Sequence, residues 1–145
     1  MTEMKKFSLV KPSLDTPFHI DFEWWKQNDS NWRVYVHSCL CPEHQERYQN
    51  LDEDFNIDWI DPETAEIHSK DALQEILINH CSKQPGFMTK NTTLVDAVFR
   101  SLVSQGNKAM SPQELSSLIE RPATTILNTL AGPHVYKGLR PCRVC

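Results

Sequence analysis

Apolar and polar residues follow two different periods along this chain, and each period predicts a type of secondary structure. Residues 18–22 and 56–61 alternate between apolar and polar positions, as half-buried strands do. Residues 65–68 are the predicted hairpin partner of the second strand. Apolar spacing and capping residues predict short helices at 32–40, with Asp29 or Ser30 as the N-cap, and at 43–51 and 72–78. The first two thirds of the chain therefore mix short strands with short helices.

The last third of the chain has the strongest helix signals. Apolar residues recur at three- and four-residue spacing from Leu94 to Val103, with Asn91 or Thr92 as the predicted N-cap and Gly106 as the end. Ser111-Pro112-Gln113-Glu114 then has the residues of a capping box, with proline at the first helical position. Both features predict helix boundaries from local residues alone.

Two short helices joined by a tight turn are predicted after Ser111. The first should bury Leu115, Leu118 and Ile119. Arg121-Pro122 interrupts it, and a second helix over 123–130 should bury Ile126, Leu127 and Leu130.

Residues 111–130 resemble the helix-turn-helix core of winged-helix regulators. The resemblance makes 123–130 the recognition helix, Leu94–Val103 the first helix of the motif, and 134–140 a shortened wing. The chain departs from the pattern in its short wing and in Glu120-Arg121-Pro122, which replaces the usual glycine of the turn. The resemblance covers about a third of the chain and implies a winged helix-turn-helix that binds DNA.

These predictions together give a mainly α fold with small β elements, of the α+β class. We expect an extended arm at 1–16, an N-terminal unit at 17–84 and a C-terminal winged helix-turn-helix unit at 85–145, sharing one core. The composition, 39% hydrophobic and 23% charged, is typical of a folded globular chain.

Charge is distributed unevenly between the two predicted units. Residues 1–84 contain 8 Lys and Arg against 16 Asp and Glu, whereas residues 85–145 contain 7 against 3. An acidic half followed by a basic half favours a nucleic-acid-binding unit joined to a protein-binding one. The first half also holds Trp24, Trp25, Trp32 and Trp59, which suit core packing or a protein partner better than stacking on bases.

Polar side chains on the predicted recognition helix are the candidate DNA contacts. Thr124, Thr125 and Asn128 should face outward and reach base edges or phosphates. The cations expected to flank them are Arg121, Lys137, Arg140 and Lys108. Because residues 123–130 contain no Arg or Lys, the alternative is a protein-protein adaptor that uses the winged helix as a scaffold.

Cysteine and histidine spacing predicts a structural zinc site. Cys41-Pro42-Glu43-His44 and Cys142-Arg143-Val144-Cys145 each place two ligands three positions apart, so Cys41, His44, Cys142 and Cys145 make a tetrahedral set that clamps the two units together. An alternative joins Cys41 and His44 to His80 and Cys81, although adjacent residues rarely reach one metal. Cys39 is a further candidate ligand. A minor alternative makes Cys142 and Cys145 a redox or sulfur-carrying pair.

Other functional classes find no support in the sequence. No apolar stretch reaches the roughly 20 residues of a membrane span, and the start of the chain lacks the apolar run of a signal peptide, so we expect a cytoplasmic protein. Neither a phosphate-binding glycine loop nor a catalytic Ser/His/Asp motif is recognisable. We therefore expect a non-catalytic protein with no small-molecule substrate.

Overall fold

The structure, a computed structural model, describes residues 11–28, 32–48 and 56–143, with the backbone alone at 56–59 and 68–71. Most of the predicted N-terminal arm lies outside these residues, as do the predicted helix caps Asp29 and Ser30 and the end of the predicted helix at 43–51. None of the described helices is long and apolar enough to cross a membrane.

Short helices joined by short strands make up the described chain. The helices are α1 (Phe22–Gln27), α2 (Trp32–Ser38), α3 (Pro42–Arg47), α4 (Ala72–Asn79), α5 (Leu94–Ser104), α6 (Pro112–Ile119) and α7 (Ala123–Leu130), with a 3₁₀ turn at Cys81–Lys83. The strands are β1 (Phe18–Ile20), β2 (Asn56–Ile60), β3 (Ile67–Asp71) and β4 (Leu139–Pro141). The predicted class, mainly α with small β elements, is confirmed.

The described residues form two antiparallel strand pairs, which differ in the sequence separation of their strands. β2 and β3 form the predicted hairpin, with Ile60 opposite Ile67. β1 pairs instead with β4, and Phe18 also bridges to Met110, just before α6. The N-terminal strand thus lies between Met110 and the last strand. The segment predicted as a wing contributes β4, whose partner comes from the start of the chain.

Helix starts in the last third are set by side-chain caps. Ser111 accepts a hydrogen bond from the Glu114 amide at 3.2 Å, and the Glu114 carboxylate accepts one from the Ser111 amide at 3.1 Å, which confirms the capping box. Thr93 caps α5 by accepting from the Asp96 amide, so the prediction of Asn91 or Thr92 was wrong by one or two residues. Glu120 takes the left-handed conformation that ends α6, with φ +55°.

One hydrophobic core contains residues from both predicted units. Its largest fully buried side chains include Phe18, Ile20, Leu73, Leu77, Phe99, Leu102, Leu115, Ile126 and Leu139. Leu118 was predicted to be buried but is 48% exposed. α6 packs against the core through Leu115 and Ile119, which lie one turn apart. Leu118 lies at the edge of this narrow buried stripe.

Trp25 links the acidic first half to the end of the chain. Its ring packs against Tyr35 and Phe99, and its indole N–H donates to the Lys137 carbonyl at 3.1 Å. Gly138 follows at φ +74°, where a Cβ would lie 2.9 Å from the Asp21 carbonyl oxygen and from the Trp25 indole nitrogen. Trp25 is therefore a core residue. Core packing was one of the two roles predicted for the tryptophans, and contact with a protein partner was the other.

Candidate metal centre

The first pair of candidate ligands lies at the start of α3. Cys41 is the N-cap residue, in extended conformation, and Pro42 opens the helix with its fixed φ. His44 sits in the first turn, so its ring comes back beside the Cys41 side chain. The Cys41 Sγ and His44 Nδ1 atoms are 3.1 Å apart.

The second pair lies where α4 ends. His80 stands between α4 and the 3₁₀ turn, with φ −128° and ψ −62°, outside the helical conformation. This break in the helix lets two adjacent side chains approach the same point. His80 Nδ1 lies 3.7 Å from Cys41 Sγ, and Cys81 Sγ lies 3.6 Å from both Cys41 Sγ and His44 Nδ1.

Four of the distances among these side chains, 3.1 to 3.7 Å, are close to those around a tetrahedral zinc ion. All four ligand atoms lie within 4.8 Å of one another. Bonds of about 2.3 Å to sulfur and about 2.0 Å to nitrogen at tetrahedral angles place two sulfurs about 3.8 Å apart and a sulfur and a nitrogen about 3.5 Å apart. The cluster can therefore hold a metal ion with little rearrangement.

Burial shifts the pKa values of two of the four candidate ligands, His44 and Cys81. His44 and Cys81 are buried, Cys41 is half-buried, and His80 keeps contact with solvent. Burial, assisted by the neighbouring His80, lowers the pKa of His44, which favours the neutral imidazole that metals bind. Burial also raises the pKa of Cys81 to about 11, so a metal ion must displace a proton from this thiol.

Of the predicted zinc ligands, the structure joins Cys41 and His44 to the alternative partners His80 and Cys81. Cys142 is disulfide-bonded, and its amide donates to the Pro17 carbonyl next to β1. Cys145 lies outside the described residues. Cys39 is a buried free thiol that is not part of the cluster. The sequence favoured the other set because His80 and Cys81 are adjacent, and the non-helical φ and ψ of His80 that let both side chains approach one point are seen only in the structure.

The predicted DNA-contacting side chains of α7 are on one exposed surface. Thr124, Thr125 and Asn128 are exposed, whereas Ile126 and Leu130 are buried. This matches the predicted orientation of the helix, except that Leu127, the third residue predicted to be buried, is only half-buried against the core.

Three of the four cations predicted to flank this surface are engaged within the chain. The Arg121 guanidinium donates to the Thr92 carbonyl at 2.6 Å and to the Lys90 carbonyl at 3.4 Å. The Lys137 ammonium lies 4.8 Å from the centroid of the Tyr35 ring, and Arg140 pairs with Asp21 at 3.2 Å. Lys108 is exposed. Arg121 and Arg140 therefore make contacts within the fold that the sequence did not predict.

Comparisons of the chain with protein-family models, with curated proteins and with solved structures found no match.

Proposed function

We propose that this chain is a non-catalytic zinc-binding protein in which Cys41, His44, His80 and Cys81 hold one structural Zn²⁺. The observation that carries the proposal is the convergence of two thiols and two imidazoles within 4.8 Å, from segments far apart in the sequence. Two cysteines and two histidines are a common ligand set for closed structural zinc sites. Such a site leaves the metal no open position for a substrate.

The proposed zinc ion would stabilise a contact between two helices. Its ligands belong to the start of α3 and the end of α4, and Leu73 and Leu77 of α4 lie in the core. A bond through the metal would fix α3, which has only 6 residues, onto that core. Short helices gain most of their stability from such tertiary contacts.

Metal content and cobalt spectroscopy test this proposal. We expect about one zinc per chain by elemental analysis, and Co²⁺ should give thiolate charge-transfer bands with tetrahedral ligand-field absorption. Cys81→Ser should weaken these bands and lower the metal content. Cys39→Ser is the matched control, because Cys39 is buried nearby but is outside the cluster.

A second variant separates the two ligand sets. Cys142→Ser should keep its zinc if the ligands are His80 and Cys81, and lose it if Cys142 is a ligand. Wild-type protein that takes up neither zinc nor cobalt would overturn the proposal.

We also propose that α7 binds duplex DNA, with α6 and α7 as a helix-turn-helix. The supporting observation is the exposed polar surface of Thr124, Thr125 and Asn128 on a helix anchored by Ile126 and Leu130. Hydroxyl and amide side chains hydrogen-bond both phosphates and base edges. Because most of the flanking cations already have partners within the chain, we expect weak binding with a shallow dependence on salt.

Fluorescence anisotropy with a labelled duplex at two salt concentrations tests this second proposal. DNA binding predicts an affinity that falls with salt and is reduced in Asn128→Ala. No salt-dependent binding in the wild type would refute it and favour the adaptor function, in which the acidic half binds a protein partner.

A further inference from the structure

Two free thiols of the metal cluster lie side by side. The Sγ atoms of Cys41 and Cys81 are 3.6 Å apart, and neither cysteine is in a disulfide. A disulfide bond is about 2.05 Å long, so the two sulfur atoms need to approach by only about 1.5 Å to form one. The two residues lie just before α3 and at the start of the 3₁₀ turn. The fold therefore builds a dithiol pair from positions 40 residues apart.

A cavity gives small solutes a route to this pair. It has a volume of about 440 Å³, opens beside the cluster, and is lined by both cysteines. Cys41 is half-buried, whereas Cys81 is 1% exposed. Cys41 is therefore the thiol that meets a solute first, and Cys81 lies behind it.

A third thiol lines the same cavity but has other contacts. Cys39 is 3% exposed, and its thiol interacts with the side chains of Ser38 and Arg100. It is not part of the metal cluster. The geometry therefore singles out Cys41 and Cys81 as the pair.

We propose that a hydroperoxide oxidises Cys41 and Cys81 to a disulfide and thereby releases the zinc ion, which makes this pair a redox modification site. The inference rests on the zinc site proposed above, in which both cysteines are thiolates, the form that peroxides attack. A sulfur in a disulfide is no longer a thiolate ligand, so only His44 and His80 would remain to hold the metal.

The reaction takes two steps with hydrogen peroxide as the oxidant. The Cys41 thiolate attacks one peroxide oxygen, the O–O bond breaks, and the products are a sulfenic acid and hydroxide. The Cys81 thiolate then attacks the Cys41 sulfur, forming the S–S bond and expelling a second hydroxide. The two thiolates have together lost two electrons, and the two hydroxides take up two protons to become water. The disulfide joins the start of α3 to the end of α4, so oxidation removes the metal and preserves this contact.

Treatment of the zinc-loaded full chain with hydrogen peroxide tests the inference. Zinc release is followed with a chromogenic chelator, and disulfides are mapped by mass spectrometry before and after oxidation, because Cys142 is disulfide-bonded from the start. We expect release of about one zinc per chain together with a new Cys41–Cys81 disulfide, and uptake of zinc again after reduction. Release should be at least tenfold faster than in untreated protein. Cys39→Ser is the matched control and should respond as the wild type does.

A sulfenic acid probe tests the order of the two steps. In Cys81→Ser, dimedone should label Cys41, because the sulfenic acid has no second thiol to resolve it. In Cys41→Ser, the buried Cys81 should stay unlabelled. Labelling of Cys81 alone would overturn the assignment of Cys41 as the thiol that peroxide attacks.

Other results would overturn the inference as a whole. Zinc retained under peroxide, or zinc lost without a Cys41–Cys81 disulfide, would exclude this pair as the site of oxidation. A new disulfide that contains Cys39 would assign the oxidation to that thiol. The wild-type map decides even if a serine variant fails to fold. Elemental analysis before oxidation separates two failures: a chain without zinc overturns the proposed function as well, whereas a zinc-loaded chain unaffected by peroxide overturns this inference alone.

Discussion

Removing zinc should destabilise this protein because the free energy of metal binding is part of its free energy of folding. Cys81 lies 40 positions after Cys41 and 37 after His44, so the ligands converge only in the folded chain and the unfolded chain releases the metal. A metal that binds only the folded state stabilises it by about 4 kcal/mol when free zinc is about 1,000 times the dissociation constant. For a chain of this size that corresponds to a melting temperature lower by roughly 8 to 16 °C. We expect chelation to produce a loss of this order.

Thermal unfolding followed by far-UV circular dichroism measures this loss. Wild-type protein is compared in zinc and in excess EDTA, with reducing agent present so that free thiols stay reduced. Cys81→Ser should melt at a lower temperature and respond little to EDTA. Cys39→Ser should keep the full EDTA response, because any packing defect at position 39 acts equally in both conditions.

Two results would refute this reasoning. A wild-type melting temperature unaffected by EDTA, in protein shown to have lost its zinc, would mean that the metal contributes nothing to folding. An EDTA response in Cys81→Ser as large as in the wild type would place the zinc at other ligands.

Further substitutions test the C-terminal helices and the β1–β4 junction. Ser111→Ala removes the acceptor for the Glu114 amide and should cost about 1 kcal/mol in urea unfolding. Asn128→Ala should leave the free energy of unfolding within about 0.5 kcal/mol, while weakening DNA binding by about 1–3 kcal/mol if it reads a base; a large stability loss would contradict its exposed position. Arg121→Ala should destabilise the fold by about 1–2 kcal/mol, because it leaves two backbone carbonyls without this hydrogen-bond donor. An unchanged free energy of unfolding would instead favour a role for this side chain in DNA contact. Gly138→Ala should lower stability by at least about 1 kcal/mol because the new Cβ meets Asp21 and Trp25 at positive φ, so a neutral effect would show that the junction adapts.

The features that the sequence predicted correctly are those specified by neighbouring residues. The capping box at Ser111, the helix over Leu94–Ser104 and the exposed face of α7 depend on signals within one or two turns of helix. The hairpin of β2 and β3 joins segments separated by a short turn, and it was also predicted. Local hydrogen bonding and hydrophobic periodicity depend on residues close together in the sequence, so both can be read from the sequence alone.

Tertiary packing decided which distant segments meet. Cys41 and His44 could find partners at the end of α4 or at the end of the chain, and the spacing between Cys41 and His44 is compatible with either choice. The fold brings His80 and Cys81 to them because His80, just past the end of α4, leaves the helical conformation. It likewise pairs β1 with β4 and uses Arg121 and Arg140 for contacts within the chain. Such long-range contacts form because they complete one shared core, and burial of that core depends on all of its segments together.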